Sequence, residues 1–242
     1  MPRSIATQSV AELGGPVSVL SRQKGDHIAL NGLLEDLGRT TGDAQDAVLH
    51  RIYRLVFSHA FAEESVLWPV MRRVLPDGHE LTLDVEREHQ EVNELVTRLE
   101  VMTRDDPERP AVLERLVAVL REDVRDEEDV LFPRLQAAVD ARTMRRLGVA
   151  WEVVRRTAPT RAHPVVARRP PGNVLAAVPL SLIDRVRDLT DLAARRGPAR
   201  VRPAMRTTGA TLARVAHLVE RLPLLRIGED PSTRNSGTGS AA

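Results

Sequence analysis

The chain has 242 residues, with 35 Lys and Arg against 34 Asp and Glu, 42% apolar residues and no Cys. Its net charge of +1 and ordinary apolar content exclude wholesale disorder and collagen-like repeats. The lack of Cys excludes disulfides and thiolate ligands, so any bound metal must be held by nitrogen and oxygen. The balance conceals a split: residues 1–150 carry 19 basic and 27 acidic side chains, whereas residues 151–242 carry 16 and 7. All the aromatic residues (Tyr53, Phe57, Phe61, Trp68, Phe132 and Trp151) fall between positions 53 and 151, which puts the main core in the acidic half. No window approaches the roughly 18 apolar residues of a membrane span, and the first residues lack a signal-peptide run. A soluble, cytoplasmic chain is expected.

Residues 1–16 lack periodicity and end in Gly14, Gly15 and Pro16, which predicts a flexible arm. Leu20, Gln23, His27, Leu30, Leu34 and Leu37 then recur at steps of three and four, one face of a helix closed by Gly38 and Gly42. A second helical pattern runs from about Asp43 through Val48, Ile52, Leu55, His59, Ala62, Val66 and Val70, with Pro69 expected to kink its end and Pro76 to stop it. The third carries Val85, His89, Val92, Val96 and Leu99, and the fourth Leu113, Leu116, Leu120, Asp123, Glu127 and Val130. Four amphipathic helices with short connections predict an all-α fold, an up-down-up-down antiparallel four-helix bundle over residues 17–140. A C-terminal extension over 141–227 is expected to hold a helix near 143–156, a Pro-rich strap over 158–180 that the prolines keep out of regular helix, and helices near 181–196 and 204–222. Residues 228–242 have the composition of a disordered tail.

The chain repeats itself. A shift of 64 residues lays EESVLWP (Glu63 to Pro69) on EEDVLFP (Glu127 to Pro133), and a shift of 62 lays His27 on His89, Asn31 on Asn93 and Leu37 on Leu99. A helical hairpin is thus present twice, and two such hairpins can surround a pseudo-twofold axis with equivalent side chains facing inward. The polar residues on or beside the inward stripes are His27, His59, Glu63, His89, Asp123 and Glu127. His59 and Glu63 stand one turn apart on one face, as do Asp123 and Glu127. No basic residue on those stripes could neutralise them, and burying them without a cation would cost several kcal/mol per charge. Six nitrogen and oxygen donors suit an octahedral first-row ion, iron or manganese rather than calcium. Glu64 and Glu128 point about 100° away and read as rim groups or partners of the ligands.

The order His, H-x-x-x-E, E-x-x-L-aromatic-Pro, His, then Glu with the same tail, resembles the haemerythrin-like HHE cation-binding domains over roughly Ser18 to Ala138. The resemblance implies a non-haem di-iron centre, with manganese the lesser candidate, that takes a small diatomic or peroxide ligand such as O2, NO or peroxide. It assigns ligand roles to His27, His59, Glu63, His89 and Glu127. The chain departs from the family pattern at one position: where a second H-x-x-x-E is expected it reads DVRDE, so Asp123 stands for the fourth histidine, with Glu122 and Asp126 less well phased. A carboxylate there is a harder, negative donor and is expected to favour Fe(III) and lower the reduction potential. The roles left open are oxidant sensing, peroxidase-, catalase- or oxidase-like turnover, and a site with one weakened metal position.

A different reading makes the basic half the working end, an interaction module for an acidic partner with the metal site structural or degenerate. Its Arg residues are scattered without aromatic interleaving or a recognition-helix pattern, which argues against nucleic acid and for docking on the acidic half. His50, His79 and His217 read as surface or structural residues, and the strap with His163 as a cover across the bundle.

Overall fold

The computed structural model describes residues 3–234, which contain helices and no strand. The first two long helices, α1 (Val19–Arg39) and α2 (Gly42–Ala62), meet at a two-residue link where Gly42 takes a φ of +60°, a conformation costly for residues with a Cβ. After α2 comes a π-turn, Glu63–Leu67, and then α3 (Trp68–Val74). The third long helix is α4 (Gly78–Val101). The fourth, α5 (Arg109–Asp126), again runs through a π-turn, Glu127–Leu131, into α6 (Phe132–Ala138). Leu30, Leu34 and Leu37 of α1, Ile52 and Phe57 of α2, Val92 and Val96 of α4 and Leu116 and Leu120 of α5 are buried together in one core.

The two π-turns fall at the repeated sequence. In each, the amide of the aromatic residue (Trp68, Phe132) donates to the carbonyl five residues back (Glu63, Glu127), and the proline that follows has no N–H to give. The kink expected at Pro69 is thus taken up one turn earlier as a wide turn. The extra residue carries Glu64 inward with Glu63, and both are buried.

A second core joins the other end of these helices to their neighbours. Trp68, Met71, Phe132 and Leu135 pack there with Ile5, Leu13, Leu20, Met144 and Trp151. This corrects the expectation of a free arm for residues 3–16: Ile5 and Leu13 are buried, and Lys24 Nζ donates to the carbonyls of Ala6 and Gln8 at 2.7 Å. It also draws in α7 (Ala141–Thr157), whose Gly148 lies so close to α1 that an added Cβ would stand 1.9 Å from the Val17 carbonyl oxygen.

Two further helices follow, α8 (Gly172–Arg196) and α9 (Arg202–Glu220). The strap is shorter than 158–180, because α8 starts at Gly172 and runs through Pro179. Pro179 costs α8 one hydrogen bond, to the Leu175 carbonyl. Leu175 lies on the exposed side, where water can replace the missing donor. Strap residues 158–171 are largely buried: the His163 amide donates to Asn93 Oδ1 at 3.0 Å and Gln90 Nε2 to the Pro164 carbonyl at 3.2 Å, both on α4. Of the expected tail, residues 228–234 turn back so that Ser232 meets Arg87 and Asp230 meets Arg169, while residues 235–242 lie outside the described residues. No helix among the described residues is long and apolar enough to cross a membrane.

Candidate metal centre

The inward residues converge between the two cores. His27 Nε2 lies 3.1 Å from Glu127 Oε2, His59 Nε2 3.1 Å from Glu63 Oε1, and His89 Nε2 3.6 Å from Glu63 Oε2 and 3.5 Å from Asp123 Oδ1. Two sets of donor atoms lie within 4.8 Å of one another, His27 with His59 and Glu127, and Glu63 with His89 and Glu127. Glu127 belongs to both. Asp123 belongs to neither, although it is buried beside His89.

The opposite edge of each imidazole is held by a carboxylate. His27 Nδ1 pairs with Glu128 Oε1 at 2.9 Å, His59 Nδ1 with Asp26 Oδ2 at 3.1 Å, and His89 Nδ1 with Glu64 Oε1 at 2.9 Å. A carboxylate on Nδ1 fixes that nitrogen as the N–H donor and directs Nε2 inward, the usual support for a metal-bound histidine. Trp68 stacks on His89 at 6.5 Å between centroids and Phe132 on His27 at 6.2 Å, so the aromatic residues of the two repeated tails orient the two equivalent histidines. Trp151 of α7 meets the His59 ring edge-on at 5.4 Å.

Several inward atoms make no well-aligned hydrogen bond among the described residues, the 3.1 Å approach of His27 to Glu127 included: His27 Nε2, Glu63 Oε2, Asp123 Oδ1 and both carboxylate oxygens of Glu127. Buried polar atoms are rarely left unpaired, and five of the unpaired ones gather here on four of the six residues singled out by the repeat. Their protonation reflects the same crowding. Burial opposes charge on His27, but Glu127 and Glu128 outweigh it and hold the imidazole at about 9. Burial likewise opposes charge on His89, where Asp123 and Glu64 prevail and raise it to about 10. Burial, then the Glu63 charge, pushes Glu127 up to about 7, and burial with Glu127 lifts Asp123 well above the carboxylate range. Without a cation the cluster is neutralised by protons, and a donor set of imidazole and carboxylate in this state fits a divalent or trivalent first-row ion in their place.

Asp26, Gln23 and Glu88 escaped the sequence reading. Gln23 stands on the α1 stripe one turn before His27, and its Nε2 donates to Glu63 Oε1 at 2.7 Å. Asp26 and Glu88 are related by the same 62-residue shift that pairs His27 with His89, so the repeat carried the signal. Asp26 serves the His59 imidazole, whereas Glu88 faces the Asp123 carboxyl, and burial and Asp126 keep the Glu88 carboxyl above its ordinary range. Glu64 and Glu128 act as partners of the histidines, as their position beside the ligand residues suggested. His50 is half-buried and His79 and His217 are exposed, all away from the cluster. His163 is buried between Asp184 and Glu220.

Above the cluster, Leu30, Leu55, Val56, Val92, Leu120 and Val124 wall a small cavity bordered by His27, His59, His89 and Asp123, with room for about one water-sized molecule. Chain-internal ion pairs join the basic half to the acidic half: Arg161 and Arg187 reach Glu100, and Arg169 meets Glu86 at 2.7 Å.

Residues 18–135 match the haemerythrin HHE cation-binding domain family. An uncharacterised haemerythrin-like protein of Schizosaccharomyces pombe is 25% identical over 134 residues, spanning 55% of this chain and 66% of that protein. No solved structure matches the chain significantly. Residues 18–135, about half of the chain, are thus a haemerythrin HHE cation-binding domain.

Proposed function

We propose that this protein is a non-haem di-iron protein that binds or reacts with a small oxidant, O2, NO or peroxide. In this reading α1, α2, α4 and α5, joined by short links, run alternately up and down as a four-helix bundle. His27, His59 and His89 would hold the iron through ring nitrogens, and Glu63, Glu127 and Asp123 would hold it through carboxylate oxygens. The observation that carries the reading is the set of inward atoms without a well-aligned hydrogen bond on His27, Glu63, Asp123 and Glu127, with each histidine backed by a carboxylate. When bound, iron would supply one-electron redox chemistry and an open coordination position.

The chain's own residues do the rest. Asp26, Glu64 and Glu128 hold Nδ1–H and keep each Nε2 directed inward. Gln23 fixes one oxygen of Glu63, which limits how far that carboxylate can swing. The largely aliphatic cavity leaves room for about one small molecule beside the cluster. Protons held on the histidines and on Glu127 must leave for a cation to bind, so uptake releases protons.

Variants of the two kinds of carboxylate test the ligand assignment. Glu127→Ala is expected to bring iron from about two per chain to one or none, because Glu127 is common to both donor sets. Asp123→Asn is expected to lower occupancy of one position only. Equal and complete retention of metal in Glu127→Ala, by elemental analysis of folded protein, would overturn the assignment.

A further inference from the structure

Helix α8 is apolar on two sides. Its face toward the rest of the chain buries Ala176 and Leu180 in a small core with Ala216 and Leu225, and beside them Asp184, fully buried, accepts from the backbone amides of Thr160 and Arg161 and pairs with His163 at 3.0 Å. Its outward face is aliphatic, with Leu182 63% and Leu189 65% exposed. Starting at Leu175, positions 175, 178, 182, 185, 189, 192 and 196 follow alternating steps of three and four, the spacing of a helix-to-helix seam sustained over three heptads. Leu, Val, Leu, Leu and Leu occupy five of those positions. Arg185 sits within the seam and is exposed, and its guanidinium donates to the Arg156 carbonyl and to Ser181 Oγ, so it is held at the edge of the aliphatic stripe. Arg196 closes the end.

The exposed parts of Leu175, Val178, Leu182, Val186, Leu189 and Leu192 amount to on the order of 500 Å², near the upper end of what the largest patch of a monomer shows. Two such faces laid together cover about 1,000 Å² before the flanking Arg stems are counted, which reaches the size of a specific interface. Residues 235–242, Asn-Ser-Gly-Thr-Gly-Ser-Ala-Ala, contain no large apolar side chain with which to cover it. A lipid surface fits less well, because the face carries no Trp or Phe and the arginines of the helix are interleaved with Asp184, Asp188 and Asp191.

We propose that α8 is a self-association face, on which a second copy of this chain packs its own α8 through the seam from Leu175 to Leu192. The pairing is isologous, each copy offering the same stripe, and it closes at two chains. It stands apart from the metal centre and holds whether or not that site binds iron.

Sedimentation velocity on the full chain at micromolar concentration tests it. The expected species has twice the 26.8 kDa chain mass, and Leu182→Arg with Leu189→Arg returns it to one chain mass with unchanged helical circular dichroism, the dissociation constant rising by about 100-fold or more. Since the chain has no Cys, Leu182→Cys carrying one nitroxide gives an independent reading: dipolar broadening between chains, lost on dilution with unlabelled protein. A wild-type chain that stays at one chain mass would overturn the proposal. So would a dimer that survives the double substitution, a label showing no broadening, or a monomer that instead floats with vesicles of phosphatidylglycerol.

Discussion

Each of the three histidines of the cluster presents Nδ1 to a carboxylate, and Asp123 breaks that arrangement by placing a carboxyl where the repeat would put a fourth imidazole. Glu88, the counterpart of Asp26, then has no ring N–H to accept, and its Oε2 is left without a partner among the described residues. Asp123→His is expected to give Glu88 its donor, remove one negative charge from the site and raise the reduction potential of bound iron. A redox titration of loaded wild type and variant reads that shift, and a lower potential in the variant would contradict it. The same crowding fixes the pH dependence of loading. Glu127 is held at about 7 and the histidines higher, so protons compete with the cation increasingly as pH falls below 7. Iron affinity is expected to drop on going from pH 7.5 to pH 6 by about tenfold per pH unit for each proton displaced, measured by competition with a chelator of known affinity.

At the scale of elements, the cluster depends on two π-turns and on the packing of α7. Deleting Ser65 would shorten the first π-turn to a regular helical turn, which keeps the phase of Trp68 but no longer carries both Glu63 and Glu64 inward, the latter onto His89 Nδ1. Loss of metal binding in a protein that stays helical is the expected outcome, by elemental analysis and circular dichroism together. Gly148→Ala would drive a Cβ into the Val17 carbonyl, backbone that cannot give way cheaply. Overpacking of this kind costs about 3 kcal/mol, or a fall in Tm of about 6–12 °C for a chain of this size, and a Tm within a degree of wild type would contradict the close approach. Much of this architecture was legible: the three-four spacing of Leu30, Leu34, Ile52, Val92, Val96 and Leu116 located the four long helices and their shared core. The repeat located the six inward residues because their spacing is a property of the helix alone. The π-turns were not legible, since a wide turn preserves the local pattern and only the pairing of an amide with a carbonyl five residues back reveals it. Nor was the docking of residues 3–16, where two isolated apolar residues, Ile5 and Leu13, find a site built by distant helices. Pro179 misled for a related reason, because a proline on the solvent side of a helix removes a hydrogen bond that water can replace.

At the scale of the molecule, the charge split between the halves is answered within the chain. Arg161 and Arg187 on Glu100, and Arg169 on Glu86, bind the basic half to the acidic one, which leaves less of the positive charge free for an external acidic partner. The strap is fastened at its middle by His163, where burial opposes the charged ring but Asp184 and Glu220 prevail and hold it at about 9, against an ordinary value near 6.5. Because the folded value is raised, the stabilisation is fully present below about pH 6.5 and is lost as pH rises through about 9. His163→Gln is therefore expected to lower stability by a few kcal/mol at pH 6 and by much less at pH 10, measured by chemical denaturation at the two pH values. A difference that grows with pH would contradict the ionic clamp.

Metal content bears most directly on the central claim, that the inward His and carboxylate atoms hold two irons. Elemental analysis of protein produced in iron-replete medium, with absorbance spectra before and after dithionite, is predicted to give about two irons per chain and a near-ultraviolet ferric band that bleaches on reduction and returns in air. A folded chain that carries no metal and takes up no Fe(II) under anaerobic conditions would contradict the account.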